Sequence, residues 1–382
     1  MGRSVMTPTH MSTPALLVDE ERFTRNVERL NRHLERLGVA LRPHLKTVKN
    51  IELARRMIAG HPGGAAVSTL AEADYFFAAG IDDLLYAVGI APGKLTEAAK
   101  RLAEGMELIL VLDHPEAARA VAAAAAENGT DFQVLLEIDA DGHRAGFRSD
   151  DPELIEAAMI LHDGGATPAG VMVHAGGSYG CRDRDCLVRM AGQERDAAVT
   201  AVEALRAAGF EAPVVSVGST PTAMFAEDLT GVTEVRAGVY AFMDLVMAGL
   251  GVCDIDDIAL SVLTEVIGHR GKHGQVIVDA GWMALSRDRG TADQALDHGY
   301  GLVCDESGRA LLPDVIVQAT NQEHGILARR DGEPLNLDEF PIGRRFRILP
   351  NHACATGGQF EHFWMVDSQG WPVERLARCR GW

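Results

Sequence analysis

Two short segments of this sequence place reactive side chains in patterns that could do chemistry. In RPHLKT, Lys46 follows an apolar run, and in PNHACAT, His352 and Cys354 stand two residues apart. A lysine amine can form a covalent Schiff base with a carbonyl compound. Imidazole and thiolate at positions i and i+2 can converge on one ion where the chain is extended or turning, and these donors favour zinc. Taken alone, the second pattern also fits buried core residues.

Strand-like and helical segments alternate over the first two thirds of the chain. The strand-like runs are residues 39–45, 65–70, 83–88, 107–112, 132–138, 168–174, 213–217 and 232–236. Between them, residues 50–59, 71–79, 93–104, 115–127, 152–163 and 188–208 are rich in Ala, Leu, Glu and Arg at helical spacing. Strands that alternate with helices indicate βαβ units and a parallel sheet. Eight such units predict a closed (β/α)8 barrel rather than an open sheet.

The pattern changes after about residue 245. Strand-like runs at 260–268, 275–280, 300–304, 315–319, 344–349 and 362–367 follow one another without long helices. Turn signals such as RGKHG and DESGR separate them. The sequence therefore predicts a barrel over residues 21–245 and a second, mainly β domain over residues 246–382.

The ends of the predicted barrel strands carry the polar residues. Lys46 ends the first strand, Arg144 follows the fifth, and His174 and Tyr179 follow the sixth. The seventh and eighth strands run into GSTPT (residues 218–222) and RAGVY (residues 236–240), turns whose N–H and hydroxyl groups could bind an anion. Catalytic groups of such barrels lie at this end, so a lysine facing a phosphate site suits pyridoxal phosphate (PLP). Each glycine turn could instead simply close its loop.

Nine segments spread over essentially the whole chain resemble the D-serine dehydratase-like, fold-type III PLP enzymes. They are TPALLVD, RPHLKT, VSTLAEA, EIDADGHRAG, VGSTPT, EVRAGVY, VDAGWMALSRDRG, NQEHG and LPNHACATG. The resemblance implies an alanine racemase-like PLP-binding TIM barrel and a C-terminal mainly β domain that carries the metal site and includes residues 1–20. It also implies a homodimer.

The resemblance also implies roles for individual residues. Lys46 matches the Schiff-base lysine and the catalytic residue, and Arg144 matches an arginine that approaches the ring hydroxyl of PLP. His352 and Cys354 match zinc ligands, with magnesium or manganese as alternative ions. The remaining positions expected to bind PLP, chiefly its phosphate, are Tyr179, Gly218, Ser219, Thr220, Gly238 and Val239.

The implied reaction is elimination of water from a D-3-hydroxy amino acid, which releases a 2-oxo acid and ammonia. Lys46 would act as general base, and the metal ion would draw off the β-hydroxyl. The nearest alternative is retro-aldol cleavage, as in the D-threonine aldolases, which carry a carboxylate near the metal histidine where this chain has Cys354. A non-enzymatic PLP carrier of the barrel type is a third interpretation, although such carriers lack a C-terminal domain.

The resemblance leaves the substrate open among D-serine, D-threonine and D-threo-3-hydroxyaspartate. Arg287 and Arg289, in the segment SRDRG, could contact a second carboxylate, because arginine binds carboxylates through two hydrogen bonds. We therefore expect 3-hydroxyaspartate to be preferred over D-serine. Asp288 lies between the two arginines and could neutralise them.

Charge and cysteine content limit the partners and the location. The formal net charge is −18 and no apolar run could span a bilayer, so we expect neither a nucleic-acid nor a membrane partner. The N-terminus lacks an apolar signal segment, which favours a soluble, cytoplasmic protein. The six cysteines suggest no disulfide framework. Cys181 and Cys186 are too widely spaced for a CxxC motif, and we interpret their loop as polar surface.

Overall fold

The computed structural model describes residues 11–61, 63–309 and 311–382. Their contacts divide the chain into two units. The barrel unit comprises Arg29–Gly238 and Cys379–Trp382, and the β unit comprises Val239–Arg378 and the described residues up to Glu28. The chain thus crosses between the units after Glu28, after Gly238 and after Arg378. Among the described residues, no helix is long and apolar enough to cross a membrane.

The described residues form seventeen strands and eleven α-helices, besides several short 3-10 helices. The strands are β1 (Ala15–Asp19), β2 (Ala40–Pro43), β3 (Ala65–Val67), β4 (Asp83–Gly89), β5 (Glu107–Leu112), β6 (Gln133–Ile138), β7 (Thr167–Val173), β8 (Val214–Val217), β9 (Glu234–Ala237), β10 (Leu260–Arg270), β11 (Gln275–Val278), β12 (Leu302–Cys304), β13 (Leu311–Thr320), β14 (Gly325–Arg329), β15 (Arg345–Leu349), β16 (His362–Val366) and β17 (Pro372–Ala377). The helices are α1 (Glu20–Leu37), α2 (Ile51–Ile58), α3 (Leu70–Phe77), α4 (Leu95–Ala103), α5 (Pro115–Asn128), α6 (Pro152–Asp163), α7 (Arg184–Ala207), α8 (Thr220–Phe225), α9 (Leu245–Gly249), α10 (Trp282–Leu285) and α11 (Ala353–Gly357).

The barrel unit contains an eight-stranded parallel sheet in the order β2-β9-β8-β7-β6-β5-β4-β3. A parallel bridge between His44 and Ala66 joins the two edge strands, and the Leu45 N–H donates to Ala66 O at 2.8 Å. The sheet therefore closes, and the predicted (β/α)8 barrel is confirmed. Each of the eight predicted runs overlaps one barrel strand.

Continuous burial explains why these runs form barrel strands. The sequences ELILVL of β5 and VLLEI of β6 are almost entirely apolar, as expected where helices cover one face of a parallel sheet and side chains fill the other. Most helices begin at a side chain that accepts a backbone N–H, as at Asn50, Thr69, Asp151, Asp183 and Ser219. The ends of the strands and the starts of the helices together define the loops at the strand ends.

The β unit is a nine-stranded sheet in the order β11-β14-β13-β12-β15-β10-β1-β16-β17. An additional pairing of β10 with β11 closes six of these strands on themselves. The N-terminal strand β1 pairs with β10 and β16, so the segment TPALLVD does join the second domain. The predicted mainly β domain is confirmed, although β14 and β17 were not predicted.

Candidate functional site

Lys46 lies just beyond β2, at the end of the barrel where the strands terminate. Its side chain is exposed, whereas the flanking Leu45 and Thr47 are fully buried. Among the residues that the structure describes, Lys46 has no ion-pair partner, while Lys49 Nζ pairs with the buried Glu72 carboxylate at 2.9 Å. Lys46 is therefore the lysine of this loop whose amine is free to react.

Two glycines shape the turns after β8 and β9. Gly218 has φ +132°, and a Cβ there would lie 2.3 Å from Arg236 O. A Cβ on Gly238 would lie 2.9 Å from both His44 O and Thr47 Oγ1, on the loop that carries Lys46. Both positions therefore need glycine, because a side chain would collide with a neighbouring strand end.

The hydroxyl groups beside Gly218 are buried and joined to one another. Ser219 Oγ caps α8 by accepting the Thr222 N–H at 3.2 Å, and Ser178 Oγ lies 3.2 Å from it. Thr220 is buried in the first turn of α8. These contacts hold the GSTPT turn rigid, although they engage the Ser219 hydroxyl that we expected to face an anion. Val239, also expected to bind PLP, is buried and follows Gly238 directly.

His174 and Tyr179 occupy the loop after β7. His174 Nδ1 lies 3.1 Å from Gly218 O, and the two aromatic rings are 6.5 Å apart, centre to centre. Burial lowers the pKa of His174 to about 4, against the raising effect of the Gly218 contact and with support from Arg144. His174 is therefore neutral near pH 7, and Tyr179 stands exposed beside it.

Arg144 reaches back to the strand that precedes it. Its Nη2 donates to Glu137 Oε1 at 2.7 Å, and Glu137 is buried in β6. About half of the Arg144 side chain remains exposed. The carboxylate thus orients a guanidinium that still has N–H groups available to a ligand.

A buried chain of charges crosses the neighbouring strands β2, β7, β8 and β9. Arg236 donates to Ser216 Oγ and to Val173 O, both at 2.6 Å. Ser216 donates to Glu234 at 2.5 Å, and Glu234 accepts from Arg42 at 2.7 Å. Burial lowers the pKa of Arg236 to about 10, although Glu234 opposes the shift. This network fixes the ends of strands whose loops carry Lys46 and the glycine turns.

His352 and Cys354 stand at the start of α11 in the β unit. His352 Nδ1 lies 2.8 Å from Asp288 Oδ2, and the ring also hydrogen-bonds the Cys354 side chain. Although burial opposes the shift, these two contacts raise the pKa of His352 to about 11. The imidazole and the thiol are therefore in contact with each other.

Asp244 holds the backbone between the two side chains. Its Oδ2 accepts the Ala353 N–H at 2.9 Å, while its Oδ1 accepts the Met247 N–H at 3.0 Å. Burial raises the pKa of Asp244 to about 6, against the lowering effect of His352. The structure thus adds Asp244 to the residues named from the sequence, and it places Asp288 against His352.

The donor set fits a metal ion with open coordination positions. One imidazole and one thiolate suit zinc. Over residues 11–61, 63–309 and 311–382, no group of three or more His, Cys, Asp or Glu side chains is arranged to hold a metal. Two protein ligands would therefore leave places for water or substrate.

The two arginines of the SRDRG loop have different surroundings. Arg289 donates to Asp297 at 2.7 Å and its guanidinium lies 5.0 Å from the centre of the Tyr300 ring. Arg287 is exposed and stacks on Trp282, with 4.4 Å between the guanidinium and the ring centre. Arg289 is thus already engaged, and Asp297, rather than Asp288, neutralises it.

One expectation about cysteine was wrong. Cys181 and Cys186 form a disulfide bond, and Cys181 is buried. Asp183 accepts the Cys186 N–H at 2.7 Å, and this turn at the start of α7 brings the two Cα atoms to 5.5 Å. The loop is therefore not simply polar surface, and its sulfur atoms are bonded to each other rather than available to a metal. The other four cysteines form no disulfide bond.

Comparison with known proteins covers both units. The family model of the alanine racemase N-terminal domain matches residues 18–246, and that of a serine dehydratase domain matches residues 259–366. The D-threo-3-hydroxyaspartate dehydratase of Delftia sp. (strain HT23) is 51% identical over 97% of this chain and 98% of its own length. This chain belongs to the D-serine dehydratase-like, fold-type III PLP enzymes.

Other members of this family are related more distantly. The D-serine dehydratase of Dictyostelium discoideum is 28% identical over 98% of both chains, and the D-threonine aldolase of Arthrobacter sp. is 27% identical over 94% of this chain and 93% of its own. The solved structure of the Delftia dehydratase superposes with a TM-score of 0.96 at 51% identity, covering 98% of this chain and all of that one. A solved cysteine-to-alanine variant of a D-threo-3-hydroxyaspartate dehydratase is described as metal-free, again with a TM-score of 0.96 at 50% identity, covering 99% of this chain and all of that one.

Proposed function

We propose that this enzyme is a PLP- and metal-dependent dehydratase of D-3-hydroxy amino acids, with D-threo-3-hydroxyaspartate or D-serine as substrate. The products are a 2-oxo acid and ammonia. The convergence of His352 and Cys354 carries this proposal, because an imidazole–thiol donor pair suits a metal ion that activates a leaving group. The names of the relatives supply the substrate class and its D configuration.

The barrel unit holds the cofactor in this proposal. Lys46 carries PLP covalently, Tyr179 and Arg144 bind it from two neighbouring loops, and the turns after β8 and β9 receive its phosphate through Gly218, Ser219, Thr220, Gly238 and Val239. The free Lys46 amine and the crowded glycines support these roles. Bound PLP supplies an electron sink for the charge left when the α-proton is removed.

Lys46 is also the general base. Its Nζ would remove the α-proton of the amino acid, and its side chain is exposed at the strand end, where a substrate can reach it. Neutral His174 adds no positive charge to this end of the barrel near pH 7. His174 therefore does not oppose protonation of the Lys46 amine.

His352 and Cys354 hold the metal ion, which we propose to be zinc. Bound zinc supplies a Lewis acid that makes the β-hydroxyl a better leaving group. Magnesium and manganese prefer oxygen donors, so an imidazole and a thiolate disfavour them. Reconstitution of the metal-free enzyme with each of the three ions, at equal concentration, tests this choice.

Retro-aldol cleavage is the rival reaction for the same cofactor. It needs a base for the β-hydroxyl proton, and this chain places Cys354 where the aldolases carry a carboxylate. The 51% identity to the Delftia dehydratase, against 27% to the D-threonine aldolase, also favours dehydration. We further propose a homodimer, while the cytoplasmic location remains a prediction.

Product analysis separates the two reactions. The enzyme is incubated with D-threo-3-hydroxyaspartate, D-serine or D-threonine, with L-serine as the matched control, and ammonia, 2-oxo acid and glycine are measured. We expect equal amounts of ammonia and oxo acid from the D substrates and no product from L-serine. Formation of glycine and an aldehyde would identify an aldolase instead.

A further inference from the structure

Asp288 stands against the histidine expected to bind the metal. The contact between Asp288 Oδ2 and His352 Nδ1, at 2.8 Å, joins two residues that are 64 positions apart in the chain. A carboxylate is an acceptor, so the ring nitrogen facing it carries the proton. In the neutral ring, the form that binds a metal, the lone pair then belongs to Nε2.

The backbone around His352 leaves its side chain free for this contact. His352 occupies the N-cap position of α11, yet its side chain makes no capping hydrogen bond. The buried Asp244 carboxylate accepts the Ala353 N–H of that helix instead, at 2.9 Å. The imidazole is therefore not needed to cap the start of α11, and it contacts Asp288 instead.

Asp288 is itself held in place by its loop. Its Oδ1 accepts the Gly290 N–H at 2.8 Å, and its backbone carbonyl accepts from Asn351 Nδ2 at 3.0 Å. Asn351 Oδ1 in turn accepts from the buried Thr291 at 3.1 Å. Two hydrogen bonds besides the imidazole contact thus join the loop that carries Asp288 to the loop that carries His352.

We propose that Asp288 is a positioning residue of the metal site, which holds Nδ1 of His352 so that Nε2 is the nitrogen presented to the metal. This inference rests on the proposed metal site. A carboxylate in this place fixes the ring orientation and raises the basicity of the ligand nitrogen, and losing such a partner typically lowers metal affinity about 10- to 100-fold.

The test compares Asp288→Ala and Asp288→Asn with Asp297→Asn. Asp297 lies on the same stretch of chain and pairs with Arg289 rather than with His352, so it controls for the loss of one negative charge. Asparagine at 288 can keep the Gly290 contact through its amide oxygen. Zinc affinity is measured by competition with a chromogenic chelator, without substrate. The visible spectrum of bound cobalt reports the ligand geometry.

We expect Asp288→Ala to weaken zinc binding about 10- to 100-fold, Asp288→Asn to weaken it less, and Asp297→Asn to leave it within about twofold. The cobalt spectrum should change in the two Asp288 variants only. Retained absorbance of lysine-bound PLP shows that each variant is folded. Wild-type affinity in Asp288→Ala, or an equal loss in Asp297→Asn, would overturn the inference. A wild-type protein that binds no zinc would instead overturn the metal site itself.

Discussion

The barrel unit and the β unit build their reactive sites in opposite ways. In the barrel, the candidate residues come from the ends of five strands, and buried hydrogen bonds between neighbouring strands fix them, as between Arg236 and Ser216. In the β unit, His352 and Cys354 are neighbours in sequence, whereas their support comes from distant loops through Asp244 and Asp288. The rule that catalytic groups lie at the strand ends of a barrel therefore predicts the first site. The spacing of His352 and Cys354 predicts the second.

The largest effect should come from Lys46, the reactive group of the barrel. Lys46→Ala should abolish covalent PLP and lower kcat by about a thousandfold or more, since it removes both the covalent attachment and the general base. Borohydride reduction followed by peptide mapping should find the pyridoxyl group on Lys46 of the wild type. Lys49→Gln is the control, because Lys49 is paired with Glu72. A pyridoxyl group on Lys49 would refute the assignment.

What could be predicted from the sequence differs between the barrel unit and the β unit. The barrel strands were predicted because several of them are nearly continuous apolar runs, as in β5 and β6, and Lys46 followed from its place at a strand end. Strand β17 was not predicted because its sequence, PVERLA, is polar and largely exposed at a sheet edge. The contact of Asp288 with His352 leaves no sequence signal, since only the packing of two loops brings them together.

Substitutions at the metal site of the β unit should lower turnover without loss of bound PLP. His352→Ala and Cys354→Ala should each lower kcat about a hundredfold or more, because a Lewis acid contributes several kcal/mol to such a reaction. Both variants should keep the absorbance of lysine-bound PLP, since the cofactor uses other residues. Metal content is measured alongside activity. Normal turnover in a variant shown to be metal-free would contradict the proposed role of the ion.

Acid pH should destabilise the folded protein through the buried His174 of the barrel unit. The folded-state pKa of His174 is about 4, below its ordinary value of 6.5, so the unfolded chain takes up a proton first as the pH falls. The stability from this group is complete above pH 6.5 and is lost towards pH 4, by up to about 3 kcal/mol. Burial shifts the pKa of His44 in the same direction.

Urea unfolding between pH 7.5 and pH 4.5 tests this expectation. Wild type and His174→Gln are compared, so that the titration of carboxylates, common to both, cancels. The variant should lose less stability over this range than the wild type. Parallel pH profiles for the two proteins would show that His174 is not held neutral by the fold.

The smallest effect concerns the choice of substrate. Because Arg289 is engaged by Asp297, we expect Arg287 to contact a second carboxylate. Hydrogen bonds to charged groups contribute roughly 1.5–3 kcal/mol, which corresponds to a preference of about tenfold or somewhat more. The ratio of kcat/KM for D-threo-3-hydroxyaspartate over D-serine should fall in Arg287→Ala and persist in Arg289→Ala. A ratio unchanged in Arg287→Ala would place the selectivity elsewhere.

Removal of the metal from the wild-type enzyme tests the central proposal most directly. The proposal is that the metal and PLP are held by different residues and that both are needed for the reaction. The holoenzyme is titrated with a chelator while metal content, the absorbance of lysine-bound PLP and dehydratase activity are followed in the same sample. Activity should fall in step with the metal, the PLP absorbance should stay, and added zinc should restore turnover. Full activity after the metal is gone would contradict the proposed role of the metal. Loss of PLP in proportion to the metal would contradict their binding to separate residues.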